Sequence, residues 1–558
     1  MSFKKLFVVV SVSFICAAGI SAQEALKSTE EEYYDFLSLT GAAERPTLGY
    51  RTLSDNEWII TDDAHNVWAN NNLGTKYTLF SSDGEAANWF TEGLKRSAAV
   101  RVYGPEWYNS YNTAAPYGQN DGALWQGKGY NTSLTAGARL EAYGLELTFK
   151  PQVSFSQNKE FDLMDNSAYY TNIYAYIWGY GNNVGVDAPQ RFGDSSFWVY
   201  DWGDTEIRWS WRRLTFGFGT QSPWLGPAWL NPILHSNNAA TYPKLDAGLR
   251  KTKIYLPFSE WYVGEIEGRL WTGYLSESSY FDNDSSNDHN MIHGLSMSYA
   301  PSFIPGLTLS AARTCLVKWK MSNLKKAFPS QSNYIGSDAS NGEDQRASIA
   351  ADWLFPAVGF EVYGELGFDD GLHYDDSTPG HARIYTVGLK KELLLSKAYD
   401  LRSEIIFEWN NTEMSQDFQL QWPYNFGFHH QITQGYTNKG QWIGAGSGYG
   451  GRSFYLGYKV YYRKGNVLIF FHRWQPDNNY IYSKAINASA AGGALNETWI
   501  RSWKTNLTWG ISTDYFLTEN LLSSLSLYSI ALLNPLYYTD KNGLQRNFRF
   551  SFSLKYNL

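Results

Sequence analysis

The sequence predicts an all-β protein: a transmembrane antiparallel β-barrel of about 18 strands, preceded by a small N-terminal helical element. Three observations carry this. The last eleven residues alternate without a fault, alternating segments recur from about residue 98 onward, and short and long connections exchange regularly between them. Mean hydropathy is −0.40, which does not argue against a membrane, because only alternate residues of a barrel strand meet lipid.

In chain order, residues 1–22 read as a signal peptide. Lys4 and Lys5 precede an apolar stretch from Leu6 to Ile20, and Ser21-Ala22 supplies small residues before Gln23. The stretch is short and is broken by Ser11 and Ser13, unlike a membrane-spanning anchor. Phe14-Ile15 is a poor lead-in to a lipidated Cys16. Cleavage leaves Cys315 alone, so the mature chain is expected to hold together without an internal disulfide.

Residues 23–95 form a distinct segment, read as a small periplasmic element. Ala25 to Leu39 predicts a short helix with Tyr33, Phe36, Leu37 and Thr40 near one face and Gly41 as its stop. The stretch after it is polar and turn-rich.

Residues 96–558 predict the barrel. Leu134, Ala136, Ala138, Leu140 and Ala142 share one face, as do Leu147, Phe149, Val153 and Phe155. Ile207, Trp209 and Trp211 follow, and later Leu401, Ile405, Phe407 and Trp409. The chain ends on Phe548, Phe550, Phe552, Leu554, Tyr556 and Leu558, a form typical of a closing strand. Links such as Tyr143-Gly144, Arg212-Arg213, Pro301–Gly306 and Lys464-Gly465-Asn466 are short, whereas 157–204, 222–243 and 411–450 are long. That layout predicts both termini on the periplasmic side and the long loops outside.

The opposite phase defines a lumen face. It carries Glu206, Arg208 and Arg212; Glu265, Glu267 and Arg269; Glu361 and Glu365; and Arg402, Glu404 and Glu408. Charge facing lipid near the midplane costs about 2–4 kcal/mol, so these groups are expected inside. Both signs are present, which favours pairing across the lumen over the one-sign ring of an ion-selective channel. A mixed-charge channel is the alternative.

Three loop stretches combine flat rings with amides: 104–129, 169–203 and 221–240. Rings stack on the apolar faces of sugars while amides and carboxylates bond hydroxyls. The candidate glycan contacts are Trp107, Trp125, Trp224, Trp229, His235, Asn237 and Asn238. The same residues would serve equally to fold the loops onto one another.

Within the third stretch, Trp224-Leu-Gly-Pro-Ala-Trp-Leu-Asn-Pro-Ile-Leu-His-Ser-Asn-Asn-Ala-Ala240 with Pro243 and Leu249-Arg250 resembles the signature of Wzi-type capsule-assembly outer-membrane proteins. Tyr33-Tyr-Asp-Phe-Leu-Ser-Leu-Thr-Gly41, residues 44–54 and Gly104-Pro-Glu-Trp-Tyr-Asn-Ser-Tyr-Asn112 are similar to the same family. The resemblance implies an 18-stranded barrel with a periplasmic helical element. It also implies a non-catalytic, lectin-like role in holding or organising capsular polysaccharide at the cell surface. Leu225 interrupts the usual tryptophan–glycine pair and Ala228 replaces a usual glycine, so sugar identity is not carried over.

The rivals are a porin or solute channel, which predicts an open lumen, and a surface adhesin. His235-Ser236-Asn237 has the residue types of a hydrolase triad, but adjacency in sequence is wrong for one. Asp282–Asp288 offers hard oxygens yet lacks the glycine and closing glutamate of a calcium loop, and the histidines show no metal-ligand spacing. No catalytic residue, metal or cofactor is expected. The expected partners are surface polysaccharide and outer-membrane lipid, with a monomeric barrel. A net charge of −8 argues against nucleic acid.

Overall fold

The computed structural model describes residues 28–49, 58–62, 65–82, 84–179, 185–329, 342–369, 383–413, 425–490, 503–537 and 543–558. The signal-peptide reading of residues 1–22 falls outside them, as does Cys16. Among the described residues, 18 antiparallel strands close into one barrel, as the alternation predicts.

The first four strands are β1 (Ser97–Asn112), β2 (Gly129–Ala142), β3 (Leu145–Phe149 and Gln152–Ser156) and β4 (Phe197–Asp201 and Glu206–Trp211). Next come β5 (Leu214–Gly219), β6 (Lys244–Tyr255), β7 (Tyr262–Ser276), β8 (His289–Pro301) and β9 (Leu307–Lys318). They are followed by β10 (Glu343–Phe355), β11 (Phe360–Asp369), β12 (Arg383–Ser396) and β13 (Leu401–Asn411). The last five are β14 (Arg452–Tyr462), β15 (Gly465–Gln475), β16 (Thr505–Thr518), β17 (Leu521–Leu533) and β18 (Leu544–Tyr556).

One end of the barrel carries the short turns and the other the long loops. At Tyr143 (φ 51°) and Gly144 (φ 79°) both turn residues are left-handed, the twist that a two-residue hairpin demands. Outward positions are large and exposed, including Phe548 and Phe550 of β18 and Ile207 of β4. Inward positions are buried and mostly polar, alternating with the outward ones as the period-2 pleat requires.

The closing seam has two parts. Between Arg549 and Lys555, β18 pairs with β1 over Glu106–Asn112, toward the loop end. The turn-end part of β1 pairs instead with a short strand, Tyr77–Ser81. The segment before residue 96 therefore contributes to the wall. Asn72 ties it to the chain end, donating to the Asn557 carbonyl at 3.3 Å and accepting from the Asn557 amide at 2.8 Å.

The predicted helix is α1 (Thr29–Leu39), capped by the Ser28 hydroxyl accepting from Glu31 N–H. It lies inside the turn end of the barrel. Tyr33 stacks on Trp68 and Phe36 on Tyr461, each at 4.1 Å between ring centres, over the inward-facing Phe516 and Leu522. Its acids meet lumen cations: Asp35 pairs with Lys390, Glu32 with Lys459 at 2.8 Å and Glu30 with Lys555 at 2.9 Å. Arg45, just beyond the helix, pairs with Asp35, Asp352 and Glu361 at 2.7–2.9 Å.

The loop end is filled differently. Strand β5 has only six residues, so segment 220–243 leaves the wall at mid-height and turns into the lumen. Its Leu225, Ile233 and Leu234 pack with Phe426, Tyr436, Ile443 and Tyr449 of segment 425–451 and with the inward Trp271, Leu275 and Ile292. Two loops thus build an apolar core inside a barrel whose inner wall is mostly polar.

Candidate functional site

The lumen charges are arranged as pairs and anchors. Arg208 forms a buried fork with Glu206 at 2.8 Å and Asp246 at 2.7 Å. Glu265 pairs with Lys251 at 3.4 Å, and Glu267 accepts Leu48 N–H at 2.6 Å. Arg269 donates to the Gly268 carbonyl at 3.2 Å, Arg402 pairs with Glu392 at 3.2 Å, and Glu404 is buried beside Tyr461. Two carboxylates hold the inward loop: Glu365 accepts Ile233 N–H at 3.0 Å, and Glu408 accepts the Trp229, Leu230 and Asn231 N–H groups at 2.7, 3.0 and 2.8 Å.

Arg212 corrects the lumen expectation. Strand β4 ends at Trp211, so the alternation stops before it. Arg212 sits in the turn at φ 53°, on the outer surface, with its guanidinium over the rings of Trp89 and Trp211 at 5.0 and 5.2 Å.

The candidate glycan residues do not converge. Trp107 is the clearest correction. Strand β1 runs through the expected loop, slips register between Tyr103 and Glu106, and turns Trp107 outward. It is 48% exposed, edge-on to the outward Phe552, and faces away from the lumen and the loops. Trp224 and Trp229 lie deep in the lumen, beside a cavity of about 120 Å³ shared with Asp35 and Arg45. His235 is buried in the loop core with its Nε2 2.8 Å from the Tyr242 hydroxyl. Asn237 lines a separate mid-height cavity. Only Trp125 and Asn238 reach a hollow at the loop end.

That hollow is the best-formed candidate site. Two adjoining spaces of about 200 and 370 Å³ share Pro116, Trp125, Tyr176 and Trp474 on their walls. Trp442 completes a set of half-buried rings, edge-on to Tyr176 at 5.9 Å and to Tyr449 at 5.2 Å. Trp474 is fixed by its indole N–H donating to the Ser447 carbonyl at 2.8 Å. Among the described residues, Trp125 Nε1, Gln119 Nε2 and Asn506 Oδ1 are buried without a hydrogen-bond partner. Each costs about 1–3 kcal/mol while unpaired, and a hydroxyl-bearing ligand gains by reaching any of them.

Electrostatics tie the groove to the loops. Asp477 accepts from the Tyr176 hydroxyl at 2.8 Å and from the Trp178 indole at 2.5 Å. Burial pushes its carboxyl up to about 7, against the opposing pull of those two donors.

Trp442 and Trp474 are the residues that sequence reasoning misses. Trp442 lies in the long loop 411–450 well past its ring-rich run from Trp422 to His430, and Trp474 reads as an ordinary strand residue near the end of β15. Their convergence across the lumen leaves no spacing signal.

A family model described as capsule assembly protein Wzi matches residues 200–515. Among solved structures, the chain is similar to Wzi of Escherichia coli, an outer membrane protein involved in group 1 capsule assembly and described as a carbohydrate-binding β-barrel. Identity is 10%, the match covers 97% of this chain and 100% of that one, and the TM-score is 0.54. At that identity the likeness speaks for the fold alone. The chain also matches Pseudomonas putida OprB at 9% identity over 82% of this chain and 94% of that one, with a TM-score of 0.36. Acinetobacter baumannii OccAB4 matches at 8% identity over 82% and 97%, again at 0.36. Neither of these two scores carries an argument. No curated protein matches the chain.

Proposed function

The chain belongs to the Wzi capsule-assembly family, and from that premise we propose that it binds and organises polysaccharide at the surface of the outer membrane, without catalysis. The observation that carries this reading is the loop-end groove. Trp125, Tyr176, Trp442 and Trp474 offer ring faces beside the unpaired Trp125 Nε1, Gln119 Nε2 and Asn506 Oδ1. Rings for sugar faces and free polar atoms for hydroxyls are the two requirements of a saccharide site.

In this reading residues 1–22 are a cleaved export signal, the termini and α1 face the periplasm, and the groove opens outward. The barrel works as a monomer with outer-membrane lipid against its outer belt. Two features weigh against a solute channel: α1 occupies the turn end, and the apolar loop core occupies the lumen above it.

The experiment is capsule retention. A deletion strain is expected to make its polysaccharide in normal amount but release it into the medium, and the native gene restores retention. A gene carrying Trp442→Ala with Trp474→Ala is expected to fail to restore it although the barrel reaches the membrane. Normal retention in the deletion strain contradicts the proposal.

A further inference from the structure

Between the inner wall of β1–β4 and the lumen segments 120–124 and 237–241 lies a cavity of about 240 Å³ that the loop-end groove does not include. It exists because neighbouring strands break at one height. Strand β1 slips register between Tyr103 and Glu106, β3 is interrupted between Phe149 and Gln152, and β4 between Asp201 and Glu206. Such irregularities re-aim side chains, and here Glu106, Lys150, Gln152, Asp201 and Asp204 gather around one space.

The cavity and the groove are neighbours. Asp121 and Leu124 line both, while Asn237 faces the cavity and Asn238 the groove. Asp121 Oδ2 and Asn120 Oδ1, on the partition between them, are buried without a hydrogen-bond partner among the described residues. Toward the turn end the cavity has a floor. Arg101, Tyr103, Arg139, Glu146 and Glu206 are buried there, and Lys150 lies over the Tyr103 ring at 5.0 Å.

We propose that this cavity is a second saccharide subsite, taking the terminal residue of a chain whose preceding residues lie in the loop-end groove. The inference rests on the polysaccharide reading given above. A chain that passes the partition meets the packed floor and cannot continue, so what fits is an end rather than an internal repeat. Of the lining carboxylates, Asp204 pairs with Lys150 at 3.5 Å, Asp121 with Arg549 at 3.7 Å and Asp201 with Lys439 at 3.7 Å. Glu106 adds a further negative charge, so the lining carries little cationic surplus and suits an uncharged, hydroxyl-rich residue better than an anionic one.

The test titrates size-fractionated fragments of the host strain's purified capsular polysaccharide against the refolded full-length protein. A site for chain ends binds every fraction with the same affinity per chain, within about twofold. Ser133→Phe, which fills the cavity from β2, is expected to weaken each fraction about tenfold. Should that variant not fold, Gln152→Ala keeps the cavity open and is expected to weaken binding about threefold. Affinity per chain that climbs with the number of repeats overturns the inference and leaves the polysaccharide reading standing. So does a folded cavity variant that binds like wild type. Failure of every fraction to bind overturns both.

Discussion

Glu408 and Trp229 define how the lumen is filled: a carboxylate on the wall strand β13 accepts the backbone N–H of a residue deep in the inward loop at 2.7 Å. The same carboxylate takes the next two N–H groups, so one wall residue fixes a whole turn of the segment. We expect Glu408→Ala to leave three N–H groups short of their acceptor and to lower stability by about 3–5 kcal/mol. Urea unfolding of the refolded barrel measures it. Glu408→Gln keeps one acceptor oxygen and is expected to cost less. Equal stability of wild type and both variants contradicts the anchoring role.

Asp35 plays the corresponding part at the turn end, where it joins α1 to Lys390 and Arg45. Asp35→Ala leaves Arg45 with Asp352 and Glu361, and Lys390 with Glu361, without the carboxylate they share on α1. We expect α1 to loosen by about 3–5 kcal/mol while the wall persists. Hydrogen exchange across residues 29–39 reads this directly. Protection unchanged from wild type refutes it.

Asp477 sets a pH dependence with a definite sign. Its carboxyl stands near 7 in the folded loops, above the ordinary aspartate value, because burial disfavours its charge. The folded state therefore holds a proton that the unfolded state releases between about pH 4 and 7, and stability falls as pH rises through that window. Asp187, pushed up to about 6 by burial, acts in the same direction. Asp477→Asn is expected to flatten this part of the profile in thermal unfolding followed by intrinsic tryptophan fluorescence. A slope identical to wild type contradicts the assignment.

Trp107 faces outward, so it is expected to report lipid rather than sugar. In vesicles of brominated lipid, the quenched fraction of tryptophan emission is expected to drop in Trp107→Phe. Polysaccharide affinity is expected to stay within about twofold of wild type. A larger loss of affinity returns Trp107 to the binding site.

The wall is legible in the sequence because a barrel strand repeats every two residues and each phase has its own chemistry. Phe548–Tyr556 and Glu206–Trp211 show both phases in a few residues. Legibility falters where a strand ends: Arg212 continues the alternation of Glu206–Trp211 and also opens the Arg212-Arg213 link, and the pattern alone does not decide between the two. Gly104-Pro105 reads as the start of a loop, yet β1 continues through it and carries Trp107 to the outer face. The inward fold of residues 220–243 is hidden for another reason. It follows from β5 ending at Gly219, a length that the run of rings and glycines around Phe216 and Phe218 does not reveal. The groove is the least legible part, since Trp125, Tyr176, Trp442 and Trp474 come from four separate segments joined by loop packing and not by spacing.

Binding at the loop-end groove is the claim on which the rest depends. The most direct test is equilibrium titration of purified capsular polysaccharide against refolded wild type and a Trp442→Ala, Trp474→Ala double variant, with the barrel fold checked by circular dichroism. Loss of two stacking rings is expected to cost about 2–3 kcal/mol, a weakening of roughly 30- to 150-fold. A folded double variant that binds as tightly as wild type contradicts the account.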